Sequence, residues 1–174
     1  MPALSTKEIR RLFELLNAEL RKASVKGELF LVGGAVMCLA YNARGSTRDI
    51  DAFFRPAKQV REAALKVAAQ AGVETNWLND AVKVFMSETG EFTTFLEMDH
   101  LRVMVAQPEY LLAMKCLSMR IGLEFHDEDD VRFLLRYLNV ESYERALEII
   151  TRFYPEDRFP QKTLYALEEL LRKR

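Results

Sequence analysis

The sequence predicts an α/β layer, a small mixed sheet flanked by helices, followed by a C-terminal helical bundle. Three stretches of the 174 residues carry that prediction. The run Leu29-Phe30-Leu31-Val32 is short and apolar and meets Gly33-Gly34 at once, as a buried strand does when it ends in a turn that glycine takes easily. Residues 49–54 form a second apolar strand in which Asp49 and Asp51 stand two apart. At Gln107-Pro108-Glu109 the texture changes to helical spacing almost to the end, which sets a boundary near Ala106. Residues 1–106 are expected to form the α/β domain and residues 107–174 the helical one.

Taken in order, Ser5-Thr6-Lys7-Glu8 is a capping box, and Ile9, Leu12, Phe13, Leu16 and Leu20 follow at the spacing of a packing helix. The strand at residues 29–32 comes next, then the glycine turn and a helix over residues 35–41. A basic loop with Arg44, Ser46, Thr47 and Arg48 leads into the acidic strand. Pro56 suits the first turn of a helix through Val60, Ala64, Leu65 and Ala68 that stops before Gly72. Trp77 reads as a core plug, and Leu78 and Asn79 as a turn. Residues 83–86, 92–98 and 101–106 are expected strands, the last two joined in a hairpin at Asp99-His100.

The chemistry gathers between Gly33 and Asp51. Without Cβ atoms, Gly33 and Gly34 let an anionic ligand approach their amides, and the start of the following helix can face it; a phosphate is the expected guest. On a strand the period of two turns Asp49 and Asp51 to one face and Ile50 to the other. Two carboxylates about 5 Å apart at an effective dielectric near 20 repel by about 3 kcal/mol, so such a pair calls for a cation or a shared proton. A divalent metal is the economical answer, since Mg²⁺ is held by one or two carboxylates plus substrate phosphate oxygens. A lone D-x-D is a solvated strand end and a lone Gly-Gly a turn; here they occur in order, joined by one helix and by Arg44 and Arg48.

With 25 Lys and Arg against 26 Asp and Glu, the net charge of −1 gives no global attraction to nucleic acid, so any such contact must be local. Cys38 and Cys116 both fall in apolar helical patterns. With no signal peptide and no apolar run long enough to span a bilayer, a reduced cytoplasmic setting without a membrane partner is expected. His100 and His126 have no metal-ligand spacing.

The pattern G-G-A, about ten residues, then R-x-S-T-x-D-x-D and an apolar strand resembles the nucleotidyltransferase superfamily with the polymerase-beta-like fold. Within it the chain is most similar to the bacterial AbiEii and MenT toxin-type proteins and their uncharacterised prokaryotic relatives. The resemblance implies a nucleotidyltransferase-like α/β domain in which Gly33 and Gly34, with Arg44, Ser46 and Thr47, bind a nucleoside triphosphate. It further implies that Asp49 and Asp51 hold Mg²⁺ or Mn²⁺. The implied reaction moves a nucleoside monophosphate to a hydroxyl on an RNA end, a protein or a small molecule, and a toxin-type member would work opposite an antitoxin protein. Many active members have serine after the second glycine; Ala35 departs from that, which leaves open a non-catalytic relative that binds nucleotide or a protein partner.

The helical half carries the second likeness. L-L-A-M-K followed by D-E-D-D-V resembles the lysine helix and D-x-x-D of the same toxin-type proteins, which implies that Lys115 contacts the triphosphate in a cleft closed by this half. Asp127 and Asp130, three apart on one helical face, would orient Lys115 or act as base. From composition alone, acids at 127–130 suit a helix N-terminus. Arg120 reads as a surface ion pair. Glu97 and Asp99 lie where a third acid would be sought, but read as exposed polar positions and are not counted in the site. Residues 141–174, broken at Pro155 and Pro160, are expected to close the bundle as two helices.

Overall fold

The structure is a computed structural model that describes residues 2–122 and 125–173. The chain divides into two compact units, Met1–Val84 with Phe92–Ala106 and Phe85–Glu91 with Gln107–Arg174.

The first unit is built on a five-stranded mixed sheet. Strand β1 (Leu4–Ser5) leads into helix α1 (Thr6–Lys22), whose capping box forms: Ser5 caps the helix and the Glu8 carboxylate accepts from the Ser5 N–H at 2.7 Å. Ile9, Leu12, Phe13, Leu16 and Leu20 are all buried, as their spacing requires. Strand β2 (Gly27–Val32) passes directly into α2 (Gly33–Leu39). The helix thus begins at the glycines rather than after them, and seven residues are too few for its dipole to weigh much. A short strand β3 (Ser46–Thr47) pairs with β1, and β4 (Ile50–Arg55) then runs antiparallel to β2 with Val32 opposite Asp51. Helix α3 (Ala57–Ala71) starts after Pro56 and ends at Gly72.

Strand β5 (Leu78–Asn79) lies parallel to β4, with Asn79 opposite Asp51. Where the sequence suggested a turn there is thus a two-residue edge strand. Trp77 is fully buried and its Nε1–H donates to the Ala64 carbonyl at 3.0 Å, so it plugs the core. Residues 83–86, expected as a strand, fall largely in a 3-10 helix, Ala81–Phe85, in which Val84 and Phe85 are exposed. Strands β6 (Phe92–Glu97) and β7 (Leu101–Ala106) form the expected hairpin, and β7 joins β2 in parallel. The order across the sheet is β5-β4-β2-β7-β6.

Alternation sorts the sheet's faces. Leu29, Leu31, Ile50, Ala52, Phe54, Leu101, Val103 and Val105 are buried on one face, with α1 and α3 packed in the same unit. The other face carries three rows set by register: Asn79, Asp51 and Val32; Phe53, Phe30 and Met104; and Arg55, Glu28 and Arg102. Asp99 at the hairpin tip accepts from Arg21 and from Asn17 Nδ2, both at 2.8 Å, while Asn17 Oδ1 accepts from the His100 N–H at 2.9 Å. The Arg21 and Asn17 bonds hold the Asp99 carboxyl well below the usual range. Glu97 pairs with Arg102 at 2.7 Å. Both acids tie surface elements together.

The second unit contains α4 (Pro108–Ser118), α5 (Asp127–Tyr137), α6 (Tyr143–Ile150) and α7 (Gln161–Arg172). The segment Phe85–Glu91 belongs to it: the Ser87 N–H donates to the Tyr110 hydroxyl at 2.8 Å, and the Tyr154 hydroxyl donates to the Phe85 carbonyl at 2.5 Å. Tyr110 stacks on Phe153 at 5.1 Å.

Candidate active site

The turn from β2 into α2 is the close approach of the first unit. Gly33 has φ +69°, a left-handed conformation that a residue with Cβ enters only at a cost of about 1–2 kcal/mol. A Cβ there would lie 3.0 Å from Asp51 Oδ2, because Asp51 faces Val32 across the ladder. A Cβ on Gly34 would lie 2.7 Å from Thr47 Oγ1 and 2.8 Å from Arg44 Nη1. Gly33 is favoured by its backbone conformation and by the approach of a carboxylate, Gly34 by the approach of a hydroxyl and a guanidinium.

Asp49 and Asp51 converge on one side chain. Asn79 Nδ2 donates to Asp49 Oδ2 at 3.1 Å and to Asp51 Oδ1 at 2.9 Å. The amide is oriented from behind, since its Oδ1 accepts from the Ala81 N–H at 3.3 Å. Asp51 thus gives one oxygen to Asn79 and turns the other toward Gly33. Thr47, buried, donates from Oγ1 to the Asp49 carbonyl at 3.2 Å, which folds the basic loop back on the acidic strand. That loop is pinned by β1 through the pairs Leu4 with Thr47 and Ser5 with Ser46. Ser46 and Arg48 are exposed, Arg44 is half-buried, and Ala35 is buried in α2.

Hard carboxylate oxygens drawn to one point suit Mg²⁺ or Mn²⁺. Among the described residues no group of three or more His, Cys, Asp or Glu side chains is gathered to hold a metal. Two carboxylates suffice for a Mg²⁺ whose remaining ligands are substrate phosphates and water.

The second unit gathers its own set. Lys115 on α4 is buried, with Nζ 2.7 Å from Asp130 Oδ2 and 3.4 Å from Asp127 Oδ1 at the start of α5. Asp127 also accepts from the Arg120 backbone N–H at 3.0 Å and from Arg120 Nε at 2.8 Å. Burial pushes the Asp127 carboxyl up; the Arg120 bonds and the Lys115 charge outweigh it and leave it below the ordinary value. Arg120, with its side chain largely exposed, is the surface partner of a buried acid.

The family model described as "Nucleotidyltransferase of unknown function (DUF6036)" matches residues 7–158. The chain belongs to this nucleotidyltransferase family. The matched span runs from the first turn of α1 past α6, and so includes Gly33, Asp49, Asp51, Asn79, Lys115, Asp127 and Asp130. Membership gives a nucleotide as the substrate class. Neither the curated proteins nor the solved structures contain a match to the chain. Among the described residues no helix is long and apolar enough to cross a membrane.

Asn79 is the member of this constellation that sequence reasoning missed. Its signal is non-local: two residues of edge strand after a buried tryptophan acquire meaning only through the pairing of Asp51 with Asn79.

Proposed function

We propose that the protein is a divalent-metal-dependent nucleotidyltransferase whose Asp49 and Asp51 hold the cation and whose Gly33-Gly34 turn admits the nucleoside triphosphate. The observation that carries this reading is the convergence of both carboxylates on Asn79, directly beside a glycine in left-handed conformation. When bound, Mg²⁺ or Mn²⁺ would neutralise charge on the α-phosphate and the departing pyrophosphate. Gly33 and Gly34 leave room for phosphate oxygens, while Arg44, with Ser46 and Thr47 on the same loop, supplies a guanidinium and hydroxyl donors. The acceptor hydroxyl oxygen attacks the α-phosphorus, the α–β phosphoanhydride bond breaks, and pyrophosphate leaves with its electron pair. The hydroxyl proton passes to a carboxylate base.

For the helical unit, the reading assigns Lys115 a phosphate contact. Asp127 and Asp130 hold its ammonium when no phosphate is bound, and one of them is the candidate base. The acceptor class comprises RNA ends, proteins and small molecules with a free hydroxyl. The likeness of the Lys115 and Asp127–Asp130 pattern to AbiEii and MenT proteins supports a toxin acting opposite an antitoxin protein.

The test is transfer of label from α-³²P nucleoside triphosphates, with Mg²⁺, to RNA, protein and small-molecule acceptors. Labelled acceptor with wild type and none with Asp49→Asn is the expected result; label transfer by Asp49→Asn at the wild-type rate contradicts the reading. Induced expression that halts growth for wild type but not for Asp49→Asn is expected of a toxin. A second reading, a nucleotide-binding relative without transfer activity, is favoured by Ala35 in place of serine and by the fact that, among the described residues, no third acid joins Asp49 and Asp51 in a metal-holding group. It predicts nucleotide binding that needs Asp51, with no labelled product.

A further inference from the structure

We infer that Asn79 is the positioning residue of the cation site: its amide presents Asp49 and Asp51 in the arrangement that a divalent ion requires. The inference rests on the reading of those two acids as cation ligands and deepens it. One Nδ2 donates to an oxygen of each carboxylate, at 3.1 and 2.9 Å. The amide cannot turn its oxygen toward them without losing the 3.3 Å bond from the Ala81 N–H, at the start of the 3-10 helix. The backbone adds its own constraint, since Asn79 faces Asp51 in register on the edge strand.

The geometry divides the work between the two oxygens of Asp51. Oδ1 is engaged by Asn79, and Oδ2 points to the Gly33 side, where the turn leaves space. A cation entering from the glycine turn therefore meets an oxygen already oriented. It need not displace the amide. Hydrogen bonds that orient metal ligands change metal affinity by about 10–100-fold when they are removed.

The experiment is Mg²⁺ titration by calorimetry, with melting curves with and without Mg²⁺, on wild type, Asp51→Asn, Asn79→Ala and Asn79→Asp. Wild type is expected to bind Mg²⁺ and Asp51→Asn to lose binding. Asn79→Ala should bind about 10–100-fold more weakly. Asn79→Asp keeps the shape but places a third carboxylate at the pair: its metal-free form should melt lower, its Mg²⁺ affinity should exceed wild type, and its Mg²⁺-induced rise in Tm should be the largest. A residue that merely packs would lower Tm in both variants and shift affinity in one direction. Wild-type affinity in Asn79→Ala, or affinity in Asn79→Asp no tighter than wild type, overturns the inference while leaving the metal reading intact. Equal Mg²⁺ binding by wild type and Asp51→Asn overturns both. Should the alanine variant fail to fold, the isosteric Asn79→Asp decides.

Discussion

Two aspartate pairs stand in this chain, and they are held by different chemistry. Asp127 and Asp130 open α5 and are held by an ammonium and a guanidinium, at 2.7 Å from Lys115 and 2.8 Å from Arg120, with Asp130 only 3% exposed. Asp49 and Asp51 lie at the head of β4, half-buried, and share the neutral amide of Asn79. An amide offers hydrogen bonds but no formal charge. A pair buried against the chain's own lysine is part of the fold's electrostatic balance, whereas a half-buried pair drawn together on an amide beside a glycine turn is placed to take up an added cation. The first pair is expected to govern stability as well as the proposed phosphate contact of Lys115, and the second to act on ligand binding with little effect on stability.

Lys115→Ala presses hardest on that difference. It leaves two buried carboxylates without their ammonium and should destabilise by about 3–5 kcal/mol in denaturant melts. Melting close to wild type would mean that the pair is held by other groups, and would weaken the contrast. Gly33→Ala should cost about 1–2 kcal/mol, from its left-handed φ, and also reduce Mg²⁺-dependent nucleotide affinity, since the new Cβ would stand 3.0 Å from Asp51 Oδ2. A Gly33→Ala protein that binds nucleotide as wild type does would move the phosphate away from the turn.

Acid sharpens the comparison from the stability side. Asp127 is lowered in the folded state, so its contribution is fully present above the unfolded value of about 3.9 and is lost as pH falls through the folded one. Stability should hold from neutrality to about pH 4 and decline below it. Arg120→Ala removes the bonds that oppose burial, so the folded-state carboxyl moves back up toward its unfolded value: the variant should be less stable at neutral pH and lose less stability on acidification in melts collected from pH 3 to 7. An acid-side loss as large as in wild type would show that Arg120 does not hold the acid. The smallest effect is expected of Asp99→Asn, an exposed tie between α1 and the hairpin: a slight drop in Tm at most, with no change in nucleotide binding.

The sequence made the order of strand, glycines, helix and acidic strand legible, because each depends on neighbours in the chain: apolar runs, glycine, a period of two. The capping box at Ser5 and the hairpin at Asp99 were legible for the same reason. What escaped depends on register. Asn79 reaches the acids through a strand of two residues, and the pinning of the basic loop by Leu4 and Ser5 joins segments some forty positions apart. The apolar run at Lys83-Val84-Phe85-Met86 suited a strand as well as a helix, and after the Asp80 turn the chain took a 3-10 helix. Ser46 carries no structural contact to the acids, and its assignment to the nucleotide rests on the motif.

The central claim is that the Asp49–Asp51 pair binds a divalent cation together with a nucleotide. Calorimetric titration of a non-hydrolysable nucleoside triphosphate, with Mg²⁺ and with chelator, on wild type and Asp51→Asn, run beside melting curves of both, tests it most directly. The account predicts Mg²⁺-dependent binding by wild type, loss of that binding in Asp51→Asn, and an Asp51→Asn Tm equal to or slightly above wild type. Binding that survives both chelator and Asp51→Asn, or a variant that melts far below wild type, would contradict it and make Asp51 a structural residue.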